Sequence, residues 1–361
     1  MPAQTVLPRW RGFNLPYMIA FGRGGEFPED DFRFAAEWGF DFIRLPMSYR
    51  YWTDVNDFTK ADESVLERID HAVTMGEKYG LHICVNLHRA PGFSVSREFE
   101  EPFNLWKDDE ALDAFCFQWE LFAKRYRGIS PERVSFNLVN EPKGESKLMS
   151  RADHERVIRA AVARIREIDP DRRIIVDGIA WGSTTLPELT DLDVAQSCRA
   201  YWPHAVSHHN APGAPDNVPP PVWPGVVVKG TPWDRSTLEE RYRPWGDLAR
   251  QGIGVHCGEG GCYNRTPHDV ALAWLRDVLE ILTEYNIGYA LWNLRGPFGV
   301  LDSERVDVNY ALPRAQTRPQ AVDTPADVLT APFAGRADCR PSKRKSNRQK
   351  QGDCPGFPFQ E

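Results

Sequence analysis

Apolar residues along this chain recur in two alternating rhythms. Short runs rich in β-branched and aromatic residues suit buried strands, and between them lie longer stretches whose apolar positions fall three and four apart, as on one face of a helix. The strand-like runs lie at 11–16 (RGFNLP), 40–48, 82–88, 133–141, 173–181, 193–201, 252–259 and 286–295. The helix-like stretches lie at 28–38, 64–79, 110–126, 153–168, 238–248 and 269–285. In 64–79, Val65, Leu66, Ile69, Ala72, Val73 and Met75 share one face, and Gly80 is placed to close the helix. Strands that alternate with helices imply parallel pairing through right-handed crossovers. Eight repeats are the number that closes into a (β/α)8 TIM barrel. An open, doubly wound sheet is the alternative, but neither a G-x-G-x-x-G nor a Walker loop follows the early strands.

Two stretches break the rhythm. A Pro-rich passage, with Pro219, Pro220 and Pro221 at its centre, runs from residue 202 to about residue 232. Past Asp302 the alternation stops, and Pro313, Pro319, Pro325, Pro332, Pro341, Pro355 and Pro358 leave no amphipathic stretch of helix length. The expected division is a barrel domain over 1–310, with an irregular or missing final helix, and a Pro-rich, disordered tail over 311–361 that carries a basic cluster from Arg340 to Lys350.

The 361 residues suit one large unit, since α/β barrels commonly need roughly 250. The formal net charge of −7 gives no reason to expect a nucleic-acid partner. Twelve tryptophans are many, and a ring too large to hide completely often lines a cleft, where it stacks on planar or sugar-like ligands. The seven cysteines are odd in number and irregularly spaced, which fits buried reduced thiols rather than a disulfide framework, and no C-x-x-C pair suggests zinc. The first ten residues show no basic start followed by an apolar core, so no signal peptide is expected and a cytoplasmic location is favoured. No apolar run approaches the roughly 20 residues of a membrane span.

Barrel enzymes place their chemistry at the C-terminal ends of the strands. Read in order, those ends offer Arg44, His88, Asn140 and Glu141, Trp181, Arg199 and Tyr201, Glu259, and Trp292. Any one of them has an ordinary reading as an ion-pair partner, a satisfied core histidine or a core ring. Together, a cation, an imidazole, two carboxyls and aromatics on one rim point to a site. Glu141 closes the run VSFNLVNEP at a strand-to-loop edge, where a carboxyl is costly to hide without a partner or a task. Two glutamates on one rim suit glycoside cleavage, in which a retaining mechanism needs carboxyls about 5–5.5 Å apart. In that scheme Arg44 helps keep Glu259 ionised, Asn140 donates to a sugar 2-hydroxyl, Tyr201 orients the nucleophile and Trp292 floors a pyranose ring.

These strand ends resemble glycoside hydrolase family 5, the cellulase family A group within the clan of retaining barrel glycosidases. The resemblance runs from RGFNL at Arg11 to Ser303. It rests on IRLP at 43–46, NLH at 86–88, FNLVNEP at 136–142, YWPHAVSH at 201–208, GEGG at 258–261 and ALWN at 290–293. It implies Glu141 as acid/base and Glu259 as nucleophile, with Arg44, His88, Asn140, Tyr201 and Trp292 as the supporting shell. It also implies β-linked glucans or mannans as substrates and no cofactor. One position departs: the family usually carries His two residues before the tyrosine of strand six, and this chain has Arg199. An arginine is always charged. It reads either as a group that favours an anionic or more polar substrate, or as one that holds a glutamate.

Other readings stay open on the sequence. A non-catalytic carbohydrate-binding barrel would keep the aromatics but need not keep both glutamates. A transglycosylase would use the same residues with a sugar as acceptor. His204, His208 and His209 offer H-x-x-x-H spacing, but in a Pro-containing loop without a helix to align metal ligands. Trp223 and Trp233, in the Pro-rich passage, are candidates for a sugar platform beside the rim.

Overall fold

The structure, a computed structural model, describes residues 6–19, 25–54, 57–96, 100–215 and 218–308. Eight parallel strands close on themselves: β1 (Arg11–Asn14), β2 (Phe42–Ser48), β3 (His82–Ala90), β4 (Val134–Asn137), β5 (Arg173–Asp177), β6 (Ala195–Ala200), β7 (Val255–Gly260) and β8 (Gly288–Leu291). Each pairs with its neighbours in sequence, and β1 closes the ring on β8 with Arg11 opposite Tyr289 and Gly12 opposite Ala290. The chain folds as the (β/α)8 TIM barrel that the alternation predicts.

Among the described residues, six longer helices cover the barrel: α1 (Glu29–Glu37), α2 (Glu63–Tyr79), α3 (Asp109–Tyr126), α4 (Arg151–Ile168), α5 (Arg235–Arg250) and α6 (His268–Glu284). Their boundaries follow local chemistry. Asp62 accepts from the Ser64 N–H at 3.0 Å to start α2, and Gly80 ends it in the left-handed region at φ 67°. Ser150 and Asp153 form a reciprocal capping box at the head of α4. Asp234 caps α5 through the Thr237 N–H, three residues ahead of the predicted start. Among the described residues no helix is long and apolar enough to cross a membrane.

Side chains alternate along the strands wherever the register is regular. On β2, Ile43, Leu45 and Met47 face the helices, while Phe42 and Arg44 face the barrel interior. The interior is therefore layered. Its lower layer is apolar and aromatic, with Phe42, Cys84, Ile175, Ala195 and Ala290 closed from below by Leu7 and Trp10. Trp10 stacks on His82 with centroids 3.7 Å apart. Its upper layer is charged.

Three strands end sooner than the apolar runs suggest. β4 stops at Asn137 because the chain turns over the rim and Glu141 takes a left-handed backbone, φ 48°. β5 stops at Asp177, after which Ala180 and Trp181 lie at φ 53° and 56°. β8 stops at Leu291. No long helix joins β5 to β6, only short turns, and residues 292–308 after β8 contain no helix. The expected irregular or missing final helix beyond that point and the 311–361 tail lie outside the described residues.

Gly12 is where β1 meets β2 most closely. A Cβ there would sit 1.6 Å from the Phe42 carbonyl oxygen, a backbone atom that cannot swing aside. Gly12→Ala is expected to lower unfolding stability by about 3 kcal/mol or more, read as a lower urea midpoint. A midpoint equal to wild type contradicts this account of the β1–β2 pairing.

Candidate active site

The upper layer of the barrel is built from inward positions on successive strands. Arg44 comes from β2, Asn137 from β4, Asp177 from β5 and Arg199 from β6. Glu259 comes from β7, and its direction depends on a local irregularity. The β6–β7 register shifts between Cys257 and Glu259, so Glu259 rather than Gly258 stands opposite Arg199. The bulge turns the carboxylate inward. Gly258 can occupy the extra position because it has no Cβ, which would lie 2.6 Å from Ser197 Oγ and 2.9 Å from Arg199 Nη1.

Two guanidiniums organise the layer. Arg44 donates to Glu259 Oε1 at 2.7 Å, to Asn14 Oδ1 at 2.9 Å, to Asn137 Oδ1 at 2.9 Å and to Asn140 Oδ1 at 2.8 Å. Arg199 donates to Glu141 Oε1 at 3.0 Å, to Asn140 Oδ1 at 3.0 Å, to Ser197 Oγ at 2.9 Å, to the Cys198 carbonyl at 3.0 Å and to Asp177 Oδ2. Its Nη2 also lies 3.6 Å from Glu259 Oε1. One guanidinium therefore faces both glutamates, Glu141 from the turn after β4 and Glu259 from β7. Arg199 is buried and its donors have partners within the protein. The arrangement fits the reading in which it holds a glutamate, not the one in which it meets an anionic substrate.

Asn140 accepts from both arginines, which fixes its amide with the oxygen inward. Its Nδ2 then faces His88 Nε2 at 3.4 Å, so that ring nitrogen is the acceptor and the proton sits on Nδ1. His88 Nδ1 lies 3.9 Å from Glu259 Oε1 and has no hydrogen-bond partner among the described residues. Burial, then the nearby Arg44, Arg89 and Arg199, push the His88 pKa well below the usual value and keep the ring neutral. Tyr201 donates to Glu259 Oε2 at 3.2 Å. The Trp292 ring stacks on His88 with centroids 5.3 Å apart and stays half-buried.

The charges do not balance. Arg44 and Arg199 face three carboxyls, Asp177, Glu141 and Glu259, and none of the five residues is more than 4% exposed. Fully ionised, the set holds one surplus negative charge in a dry site. A proton relieves it, and Glu141 is where it rests. Burial, then the charge of Glu259, raise the Glu141 pKa to about 8, against the pull of Arg199.

The structure thus brings together Arg44, His88, Asn140, Glu141, Arg199, Tyr201, Glu259 and Trp292. Trp181 is not in this group: its N–H donates to the Pro142 carbonyl at 3.0 Å and its ring packs half-buried beside the core. Sequence reasoning missed Asp177, Asn14 and Asn137. Each was readable as an inward position by strand alternation: Asp177 lies two and four residues after Ile175 and Arg173, just before Gly178. Reading β5 as running on to Trp181 hid it. Trp223 is no platform either. It is buried against the barrel's outer layer, with Nε1 donating to Asp277 of α6 at 2.8 Å. Trp233 stacks half-buried on Trp202, centroids 6.3 Å apart. His204 stacks on Trp202 and His208 packs edge-on to Tyr201. Among the described residues no three His, Cys, Asp or Glu side chains are grouped to hold a metal.

The profile of the family described as Cellulase (glycosyl hydrolase family 5) matches residues 3–296. Cellodextrinase A of Ruminococcus flavefaciens is 28% identical over 273 residues, covering 72% of this chain and 76% of that protein. Endoglucanase C of Acetivibrio thermocellus is 25% identical over 311 residues, covering 79% and 89%. A crystal structure of a glycoside hydrolase superposes with a TM-score of 0.80 at 41% identity, covering 84% of this chain and 94% of the other.

A raised carboxyl pKa has a definite sign in stability. The unfolded Glu141 ionises near 4.5, whereas the folded one holds its proton to about 8. Above the unfolded value the folded state is penalised, increasingly so up to about pH 8. Glu141→Gln removes that penalty. It is expected to leave stability near wild type at pH 4 and to raise it by on the order of 2 kcal/mol at pH 8, read from denaturant unfolding at both values. A stability difference that does not change with pH contradicts the buried, proton-holding carboxyl.

Proposed function

The chain belongs to the cellulase family, glycosyl hydrolase family 5, and is a β-glucan glycoside hydrolase; we propose that it cleaves its substrate with retention, with Glu259 as nucleophile and Glu141 as acid, then base. The observation that carries this reading is the contrast between the two carboxyls. Glu259 receives a hydrogen bond on each oxygen, from Arg44 at 2.7 Å and Tyr201 at 3.2 Å, which aims a carboxylate lone pair. Glu141, held by the same Arg199 guanidinium that faces Glu259, has its pKa raised to about 8 and so keeps a proton at neutral pH. Two carboxyls in one site with opposed environments are what an acid and a nucleophile require.

In the first step a Glu259 oxygen attacks the anomeric carbon as the glycosidic C–O bond breaks. Glu141 gives its proton to the leaving oxygen, so the alcohol departs neutral. The product is a glycosyl ester on Glu259 and an ionised Glu141. In the second step Glu141 takes a proton from water, and the water oxygen attacks the anomeric carbon and displaces Glu259. Two inversions give net retention. The Asn140 amide, its oxygen held by both arginines and one Nδ2 hydrogen facing His88, offers its second Nδ2 hydrogen to the 2-hydroxyl. Half-buried Trp292 offers its ring face to the sugar, where stacking on C–H-rich pyranose faces suits an aromatic plane. No cofactor enters the scheme. The two named relatives, a cellodextrinase and an endoglucanase, support β-linked glucose polymers and oligomers as the substrate class.

The test is turnover of cello-oligosaccharides followed by proton NMR of the newly formed reducing end. The β-anomer is expected first, and Glu259→Gln and Glu141→Gln are each expected to lower kcat/KM by about 10³-fold or more. First appearance of the α-anomer, or wild-type turnover by Glu259→Gln, overturns the mechanism.

A further inference from the structure

The Arg199 guanidinium lies 3.0 Å from Glu141 Oε1, which on its own is an unfavourable neighbour for an acid. A fixed positive charge favours the ionised carboxyl and so weakens a proton donor. The structure contains the compensation. Asp177 Oδ2 accepts from Arg199 Nη2 and also from the Glu141 backbone N–H at 2.9 Å, while its Oδ1 accepts from Asn137 Nδ2 at 2.9 Å. The Asp177 carboxyl is fully buried and lies 4.0 Å from Arg44 as well. It thus does two things at once: it offsets the charge of Arg199, and it ties down the left-handed backbone that aims the Glu141 side chain.

We propose that Asp177 and Arg199 act as a matched pair of positioning residues that sets the pH range over which Glu141 can donate its proton. This rests on the assignment of Glu141 as the acid. The other groups facing Glu141 do not duplicate the role. Arg44 on β2 acts mainly on Glu259 and the three asparagines, and His88 on β3 is neutral. Tyr201 at the end of β6 keeps its proton, since burial and then the two glutamates push its pKa well up. Glu259 on β7 carries the reacting charge. Among the described residues, only Asp177 accepts hydrogen bonds from both the arginine and the acid's own backbone N–H.

Each half of the pair has an opposite effect when removed alone. Asp177→Asn leaves Arg199 uncompensated, so Glu141 loses its proton at lower pH. Arg199→His leaves Asp177 uncompensated, so the proton is held to higher pH. The double variant restores the balance.

The experiment is the pH dependence of kcat/KM on two aryl β-cellobiosides, one with a phenyl leaving group that needs the acid and one with a 2,4-dinitrophenyl leaving group that does not. For the phenyl substrate, Asp177→Asn is expected to move the alkaline limb down by about one pH unit or more. Asp177→Glu and the double variant Asp177→Asn/Arg199→His are expected to move it back toward wild type. The dinitrophenyl profile, which the acid does not limit, is expected to stay as in wild type, which a general structural loss would not spare. Should Asp177→Asn fail to fold, Arg199→His serves in its place, with the phenyl limb expected to rise by a similar amount. A limb that stays put, or moves in the opposite direction, overturns the pair. Wild-type enzyme inactive on both substrates instead overturns the catalytic assignment on which the pair rests.

Discussion

Two arginines inside the barrel mouth set the positions of nearly everything else there. A buried guanidinium is unfavourable unless its donors are met and its charge is countered, and breaking one partner of a buried pair is far more damaging than replacing both. Arg44 and Arg199 meet that demand with side chains from β1, β4, β5, β6 and β7 or the turns that follow them. Hydrogen bonding rather than apolar packing therefore fixes where Glu141, Glu259 and Asn140 can be. The asparagine shows how tightly: with one oxygen accepting from two cations, its amide has a single orientation, and that orientation in turn fixes the tautomer of His88.

The rest of the barrel divides accordingly. Below the charged layer, Trp10, Phe42, His82 and Ile175 fill the interior with apolar and ring surface, and outside it the helices bury their stripes against Ile43, Leu45, Val134, Phe136 and Val176. That packing carries the stability. The upper layer runs against it, because five ionisable groups are dry and three of them are acids. Keeping one acid protonated near neutral pH is the least costly way out of that imbalance, so the electrostatic strain and the proposed proton donor have a common cause. The left-handed backbone at Glu141 is a second departure from relaxed structure in the same place, as expected where function rather than stability selects the geometry.

Much of this was legible in the sequence, because two periodicities suffice for a barrel. Helical spacing placed α2 and α3 to within a residue, and strand spacing placed all eight strands. The residues at the rim were readable where an apolar run is followed at once by a polar pair, as in Asn140 and Glu141. Legibility failed where an apolar run outlasts its strand. The run from Arg173 to Trp181 hides the exit at Asp177, and the run to Glu141 hides a turn in the left-handed region. It failed again at Gly258, since a bulge reverses which residue points inward and leaves no mark in a hydrophobic pattern. The tryptophans misled for a different reason: Trp223 in a Pro-rich passage looks like a rim residue, but only the fold shows its indole nitrogen bound to Asp277 on the outer helix.

The surplus charge of the upper layer is the centre of this account, and it can be watched directly. Carbon-13 labelling of the glutamate side-chain carboxyls, with Glu141→Gln to assign the signal, allows the Glu141 carboxyl to be titrated by NMR in the wild-type protein and in Glu259→Gln. The expected result is a Glu141 carboxyl that titrates near pH 8 and moves down by a unit or more when residue 259 is neutral. A Glu141 carboxyl that titrates in the ordinary carboxylate range, or that does not respond to residue 259, contradicts it.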